Sequence, residues 1–284
     1  MNKTDPDRTV VLQALNSTEL PDRSICGIHS TSDRIFGGEW TAIDEFPWTV
    51  ALEFKHAWSS KNVGVKCGGS LINKRFVLTA AHCIQSGEFE LIHVRLGEWN
   101  LTSNPDCLLC DPVQIVNITE KISHPDYNRL TKSNDIALLR LERDIEYTDF
   151  IRPICLPPEN SSAPKEGTEL AVSGWGATED GSTKSAVKIK VSVPIISNET
   201  CNKTLHNIQS TQLCAGGVSG RDACQGNSGG PLVNSFVGTV EGRVQWYQEG
   251  IVSHGIRCGL VGYPGIYTRV SSYISWILHV IETK

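Results

Sequence analysis

Runs of four to seven residues rich in Val, Ile, Leu and aromatic side chains recur along the chain, broken by Gly, Pro, Asn and Ser. Examples are 48–54, 69–72, 76–79 and 91–96. Segments this short, bounded by turn residues, spell strands rather than helices, and their number argues an all-β sandwich or barrel. The C-terminus departs from this. Tyr273, Trp276, Ile277 and Val280 follow helical spacing, which predicts a helix over 272–282 packed on the core. Residues 1–34 are polar and without strong periodicity, and read as a linker or pro-segment.

Composition narrows the classes. A chain of 284 residues can bury a substantial core, in one domain or two subdomains. The formal net charge of −5, with acids and bases mixed along the chain, offers no footprint for nucleic acid. No apolar run approaches the length of a membrane span, so no membrane partner is expected. Ten cysteines point to an oxidising compartment. Sequons at Asn2, Asn16, Asn100, Asn117, Asn160, Asn198 and Asn202 agree with a secreted, extracellular glycoprotein. The chain opens without a signal peptide, and the reading is that the native start has been removed.

The chemistry centres on the run from Arg221 to Pro231, Arg-Asp-Ala-Cys-Gln-Gly-Asn-Ser-Gly-Gly-Pro. A serine among glycines can present its hydroxyl on a sharp turn, and the N–H groups of Gly226 and Ser228 can converge on one point as an oxyanion hole. Six residues before Ser228, Asp222 is placed to anchor a cationic substrate side chain. Thr79-Ala80-Ala81-His82-Cys83 supplies a base, and Asn134-Asp135-Ile136-Ala137-Leu138-Leu139 an orienting carboxylate. In that arrangement His82 takes the proton of Ser228 and later returns it to the leaving amine, while Asp135 holds the imidazole tautomer.

These motifs in the order His82, Asp135, Ser228 resemble the trypsin-like serine proteases of the chymotrypsin fold, from Ile35-Phe36-Gly37-Gly38 to the C-terminus. The resemblance selects two antiparallel six-stranded β-barrels, about 35–150 and 151–270, with the triad in the cleft between them and a C-terminal α-helix. It divides the chain into a pro-segment over 1–34 and a protease domain over 35–284. It places activation cleavage between Arg34 and Ile35. Asp222 would lie at the base of the specificity pocket, with Gly255 and Gly265 as its small walls, giving cleavage after Arg or Lys with Arg preferred. Ser253-His254-Gly255 would offer backbone groups to an extended substrate. His254 stands where the family usually has an aromatic residue. The segment Leu20-Pro21-Asp22-Arg23-Ser24-Ile25-Cys26-Gly27 resembles the join between clip and protease domains in arthropod haemolymph proteases.

The resemblance also implies a cysteine framework of five bridges: Cys26–Cys155, Cys67–Cys83, Cys107–Cys110, Cys201–Cys214 and Cys224–Cys258. Cys67–Cys83, Cys201–Cys214 and Cys224–Cys258 would each contribute on the order of 3 kcal/mol. Cys26–Cys155 would tether the pre-segment after activation. Cys107-Leu108-Leu109-Cys110 could be read as a zinc or redox motif, but no second ligand pair accompanies it, and a loop disulfide is favoured. Glu98 and Asp111 flank that loop, whose equivalent in trypsin-like enzymes often binds calcium. A structural calcium on these residues is therefore an expectation, although the cysteines interrupt the usual acidic pattern. No cofactor is required by the chemistry.

One residue breaks the pattern. The family has Asp before the nucleophile, where the new N-terminal ammonium pairs with it and switches the oxyanion hole on; here the residue is Asn227. A carboxamide accepts a hydrogen bond but cannot neutralise the ammonium of Ile35, and breaking a buried ion pair costs about 3–5 kcal/mol. The expectation is a secreted zymogen of a trypsin-like endopeptidase, furnished for catalysis but weak in self-activation. Its setting would be an extracellular cascade of innate immunity, melanisation or development. Its partners would be an upstream protease, a further zymogen as substrate and a serpin-type inhibitor. The alternative is a protease homologue that serves as a cascade adaptor.

Overall fold

The computed structural model describes residues 19–28, 39–176, 184–218, 227–237, 244–255 and 261–284. Arg34, Ile35, Asp222, Cys224, Gly226, Cys258, Asn2 and Asn16 lie outside the described residues.

Six strands form a first closed antiparallel barrel: β2 (Thr49–His56), β3 (Asn62–Leu71), β4 (Phe76–Thr79), β5 (Phe89–Leu96), β6 (Gln114–Ser123) and β7 (Ala137–Leu141). Their order is β2-β3-β4-β7-β6-β5. Closure abolishes the exposed edges that an open sheet would carry. A second ring follows, of β8 (Glu169–Gly174), β9 (Ile189–Ile196), β10 (Gln212–Ala215), β11 (Pro231–Val237), β12 (Val244–His254) and β13 (Gly265–Arg269). Its order is β9-β10-β13-β12-β11-β8, closed by the pairing of β8 with β9. The short runs of the sequence thus resolve into two barrels rather than a sandwich.

The division of the chain between barrels needs one correction. Strand β1 (Glu39–Trp40) falls in the first half of the sequence but pairs with β9 of the second barrel, Glu39 opposite Lys190 and Trp40 opposite Ile189. A two-residue strand has no period to read, and its placement is decided by the partner's free edge. The C-terminal helix also starts later than its spacing predicts. Val270–Ser272 is a 3₁₀ turn, and the α-helix runs Ile274–Thr283. Its buried stripe is Ile274, Ile277, Val280 and Ile281, while Trp276 is half-buried against His124.

The apolar interiors explain the closure. Trp48, Val50, Leu52, Leu71, Val94 and Leu138 are fully buried in the first barrel. The same cluster continues through Val233, Trp246 and Ile251 to the C-terminal helix, so the helix and the barrel interface share one core. The second barrel holds a smaller core around Leu170, Val172, Leu213 and Tyr267. Four expected disulfides are present: Cys26–Cys155, Cys67–Cys83, Cys107–Cys110 and Cys201–Cys214. Cys201 lies in a helix, α2 (Asn198–Leu205), whose N-cap Ser197 accepts from the Thr200 N–H.

Candidate active site

Three chain segments from the two barrels converge on Asp135. The first is α1 (Ala81–Ile84), one turn that begins as soon as β4 ends. Its first N–H groups have no partner inside so short a helix, and the His82 N–H finds one in Asp135 Oδ1 at 2.9 Å. The second is the approach to β7. Asn134 adopts φ 53°, a left-handed conformation that asparagine tolerates, and its Oδ1 accepts from the Tyr273 hydroxyl at 2.8 Å. That turn delivers Asp135 into the interior with no exposed surface. The third is the end of β12 and its neighbour β13. The Ser253 hydroxyl donates to Asp135 Oδ2 at 2.5 Å, and the Thr268 hydroxyl to the Asp135 carbonyl at 2.8 Å.

His82 Nδ1 lies 2.7 Å from Asp135 Oδ2. Burial alone would push the Asp135 carboxyl up. Hydrogen bonds from His82 and Ser253, with the His82 charge, overcome it and hold the group below the usual carboxylate range. An ionised Asp135 accepts only, so Nδ1 carries a proton, and in the neutral ring Nε2 is the nitrogen that can take another.

Ser228 reaches the same place from the second barrel. Its carbonyl accepts from the Gly68 N–H at 2.8 Å and lies 3.6 Å from the Cys83 sulfur, which is itself 3.7 Å from His82 Nε2. One sulfur therefore touches both the imidazole and the backbone of the serine. Gly229 follows at φ 77°, and a Cβ there would collide with the Thr79 side chain and come 2.6 Å from the Gly68 carbonyl oxygen. The turn admits glycine alone. Cys67, His82 and Cys83 form the one metal-ligand cluster among the described residues, but both sulfurs are spent in a disulfide, which makes the cluster a staple beside the imidazole.

Asn227 is buried, and its Oδ1 accepts from the Gly176 N–H at 3.0 Å. Gly174 and Gly176 line its side chain so closely that a Cβ on either would come within 2.6 or 2.7 Å of it. Gly255 faces Gly265: a Cβ on the first would stand 3.8 Å from the Cα of the second. Neither residue brings a side chain of its own to this contact. Sequence reasoning assigned Ser253 to substrate contact alone; its hydroxyl bond to Asp135, across 118 residues of chain, had no local signal.

In the loop that carries the Cys107–Cys110 bridge and its flanks, Glu98 is buried and Asp111 exposed. Burial raises the Glu98 pKa, and Arg95 Nε donates to Glu98 Oε2 at 2.6 Å. Glu98 Oε1 is buried and completes no hydrogen bond among the described residues, a feature that fits a cation ligand. The loop's other acid, Asp106, accepts from the N–H groups of Trp99 and Asn100 and the hydroxyl of Ser103. Of the sequons, Asn117 and Asn160 are exposed, Asn100 and Asn202 half-buried, and the Asn198 amide donates to the carbonyls of Gln209 and Gln212.

The family model of trypsin matches residues 35–277, which is most of the chain. The chain belongs to the trypsin family. Among curated relatives, CLIP domain-containing serine protease B10 of Anopheles gambiae is 43% identical, over 89% of this chain and 71% of its own. CLIP domain-containing serine protease HP8 of Bombyx mori is 43% identical, over 93% and 73%. Phenoloxidase-activating factor 1 of Holotrichia diomphalia is 42% identical, over 89% and 71%. This trypsin-family chain is a serine endopeptidase with a protease domain similar to those of insect clip-domain proteases.

Proposed function

We propose that the chain is a secreted endopeptidase that cleaves after Arg or Lys, made as a zymogen and activated by a cut between Arg34 and Ile35. The observation that carries the reading is the buried, ionised Asp135 bonded to both the ring and the backbone N–H of His82, with the Ser228 turn against the same disulfide. His82 Nε2 would take the Ser228 proton as the hydroxyl attacks the scissile carbonyl. The imidazolium formed is stabilised by Asp135, and its proton then goes to the leaving amine. The N–H groups of Gly226 and Ser228 would receive the oxyanion. Asp222 would pair with the substrate's cationic side chain between the glycine walls of Gly255 and Gly265.

The relatives support a place in an extracellular cascade; one is named a phenoloxidase-activating factor. An upstream protease, a zymogen substrate and a serpin-type inhibitor are its expected partners. A calcium held by Glu98 and Asp111 would engage Glu98 Oε1, the oxygen that Arg95 leaves unbonded, and millimolar calcium should then raise the thermal midpoint.

A second reading, a weak or non-catalytic adaptor, is favoured by Asn227 alone. Its buried carboxamide is bonded to Gly176, and it offers no charge to an arriving ammonium. Hydrolysis of a small Arg-amide substrate, after confirmed cleavage at Arg34 and with Asn227→Asp in parallel, tests both. Turnover by either protein upholds the hydrolytic site. Turnover by the variant alone assigns the weakness to Asn227. Folded, cleaved proteins that neither turn over nor label at Ser228 with a covalent serine-hydrolase probe uphold the adaptor.

A further inference from the structure

The Ser253 hydroxyl stands between two groups. Its Oγ is 2.5 Å from Asp135 Oδ2 and 3.0 Å from His254 Nδ1. A serine hydroxyl has one proton to give and lone pairs to receive with. Asp135 is ionised and can only accept, so the Ser253 proton points to Asp135. The contact with His254 must then run the other way, with the proton on His254 Nδ1 and Ser253 Oγ accepting. The fold puts the two side chains side by side by an irregularity. Along β12 the register against β13 slips between Val252, opposite Tyr267, and His254, opposite Ile266. Ser253 is the extra residue of this bulge, and bulges re-aim side chains in this way near active sites.

We propose that His254 is a positioning residue for the hydrolytic reaction, locking the Ser253 hydroxyl onto Asp135. The proposal rests on the catalytic roles given above to Asp135 and His82. The resulting chain runs His254 Nδ1–H to Ser253 Oγ–H to Asp135 Oδ2, which His82 Nδ1–H meets from the other side, so two imidazoles bracket one carboxylate. Without His254 the Ser253 hydroxyl can turn away, and Asp135 loses a donor just when it must stabilise the His82 imidazolium. The charged and titratable groups around His254 are Asp135, His82 and Lys132. Burial lowers the His254 pKa; Asp135 opposes this, while His82 and Lys132 add to it. His254 is therefore neutral near pH 7. Protonated at acid pH, it keeps its bond to Ser253 but sets a positive charge against the imidazolium that His82 becomes.

Histidine-selective ¹⁵N labelling reads the His254 tautomer from its ring shifts, with His254→Asn assigning the signal. The expected result is a protonated Nδ1 and a bare Nε2; a protonated Nε2 with a bare Nδ1 overturns the proposal. Kinetics on the Arg-amide substrate, in whichever of wild type or Asn227→Asp turns over, supply the second arm. His254→Leu should lower kcat by about three- to tenfold, the scale of one lost hydrogen bond, with KM little changed. His254→Asn, whose amide N–H can stand in for Nδ1–H, should stay within about twofold. The acid limb of kcat should be shallower in both variants. Equal kcat for the Leu and Asn variants would overturn the role. If no form hydrolyses the substrate, the functional reading fails, and the tautomer still decides the direction of the hydrogen-bond chain.

Discussion

Asp135 concentrates the site's electrostatics because it is wholly buried yet stays ionised. Its folded pKa is depressed below the ordinary value of about 3.9. A group of this kind contributes stability above its unfolded pKa, and that contribution is lost as pH falls through the folded one. Ser253→Ala removes one donor, so the folded pKa rises and the loss begins earlier. Acid unfolding followed by near-ultraviolet circular dichroism should therefore start at a higher pH in the variant; superimposable curves would show that the Ser253 bond has no part in the depression. Asp135→Asn, which presents the wrong group to the His82 ring, should cut kcat by about 10³–10⁴ in any form that turns over, measured on the Arg-amide substrate. His82 and Asp135 were legible because each sits in a local motif. Ser253 and His254 were not legible in these roles, since their partners come from a β-bulge that no local pattern announces.

At the scale of elements, the segment leading into β9 is the least expected part of the fold. Lys188 and Lys190 stand on either side of Ile189, the first residue of β9, and both are buried. The backbone accounts for this. The Lys188 carbonyl accepts from the Thr41 N–H at 3.0 Å and its N–H donates to the Trp99 carbonyl at 2.7 Å, which draws the strand between two covering segments. Lys190 pairs with buried Glu45 at 2.8 Å. Lys188 is pushed down to about 8 by burial, against the pull of Glu45, Asp44, Glu98 and Asp106. Between that value and the ordinary one, about 10.4, the unfolded chain binds a proton that the folded chain does not, so stability rises with pH across this window. Below the folded pKa the full cost of the buried charge is carried. Lys188→Met should raise stability at pH 7 by on the order of 1–3 kcal/mol and flatten the rise between pH 8 and 10. Urea unfolding at pH 7 and pH 9.5 checks both, and a destabilised variant at pH 7 would mean that the acids around Lys188 outweigh its burial.

The molecule as a whole is two barrels sharing a core, with a pre-segment stitched to the second. Cys26 is bonded to Cys155, and the Gly27 N–H donates to the Pro153 carbonyl at 2.8 Å. The Trp246 N–H donates to the Gly27 carbonyl at 2.9 Å, and Gln245 Nε2 to the Cys26 carbonyl. Gly27 has φ 63°, and a Cβ there would collide with the Trp246 backbone, so the segment lies against the barrel more closely than any side chain would permit. Apolar periodicity located the barrels, but it was blind to this seam: 19–28 has no strand, and the pairing of Cys26 was read from family resemblance rather than from pattern. The seam decides what the proposed activation would release. A cut after Arg34 would sever the chain between the stitched segment and β1, yet leave the segment held by one covalent bond, two backbone hydrogen bonds and the Gln245 side chain. Cleaved protein should therefore migrate as a single species without reductant and lose the fragment of residues 1–34 with it. Cys26→Ser should fold with some loss of stability, because other bridges and both barrel cores remain. After the cut, its fragment is held by hydrogen bonds alone, and gel filtration under native conditions should separate it at low concentration. If the fragment of the wild-type protein separates without reductant, the bridge is not formed, and the pre-segment cannot serve as the tether between this protease domain and anything joined to it upstream.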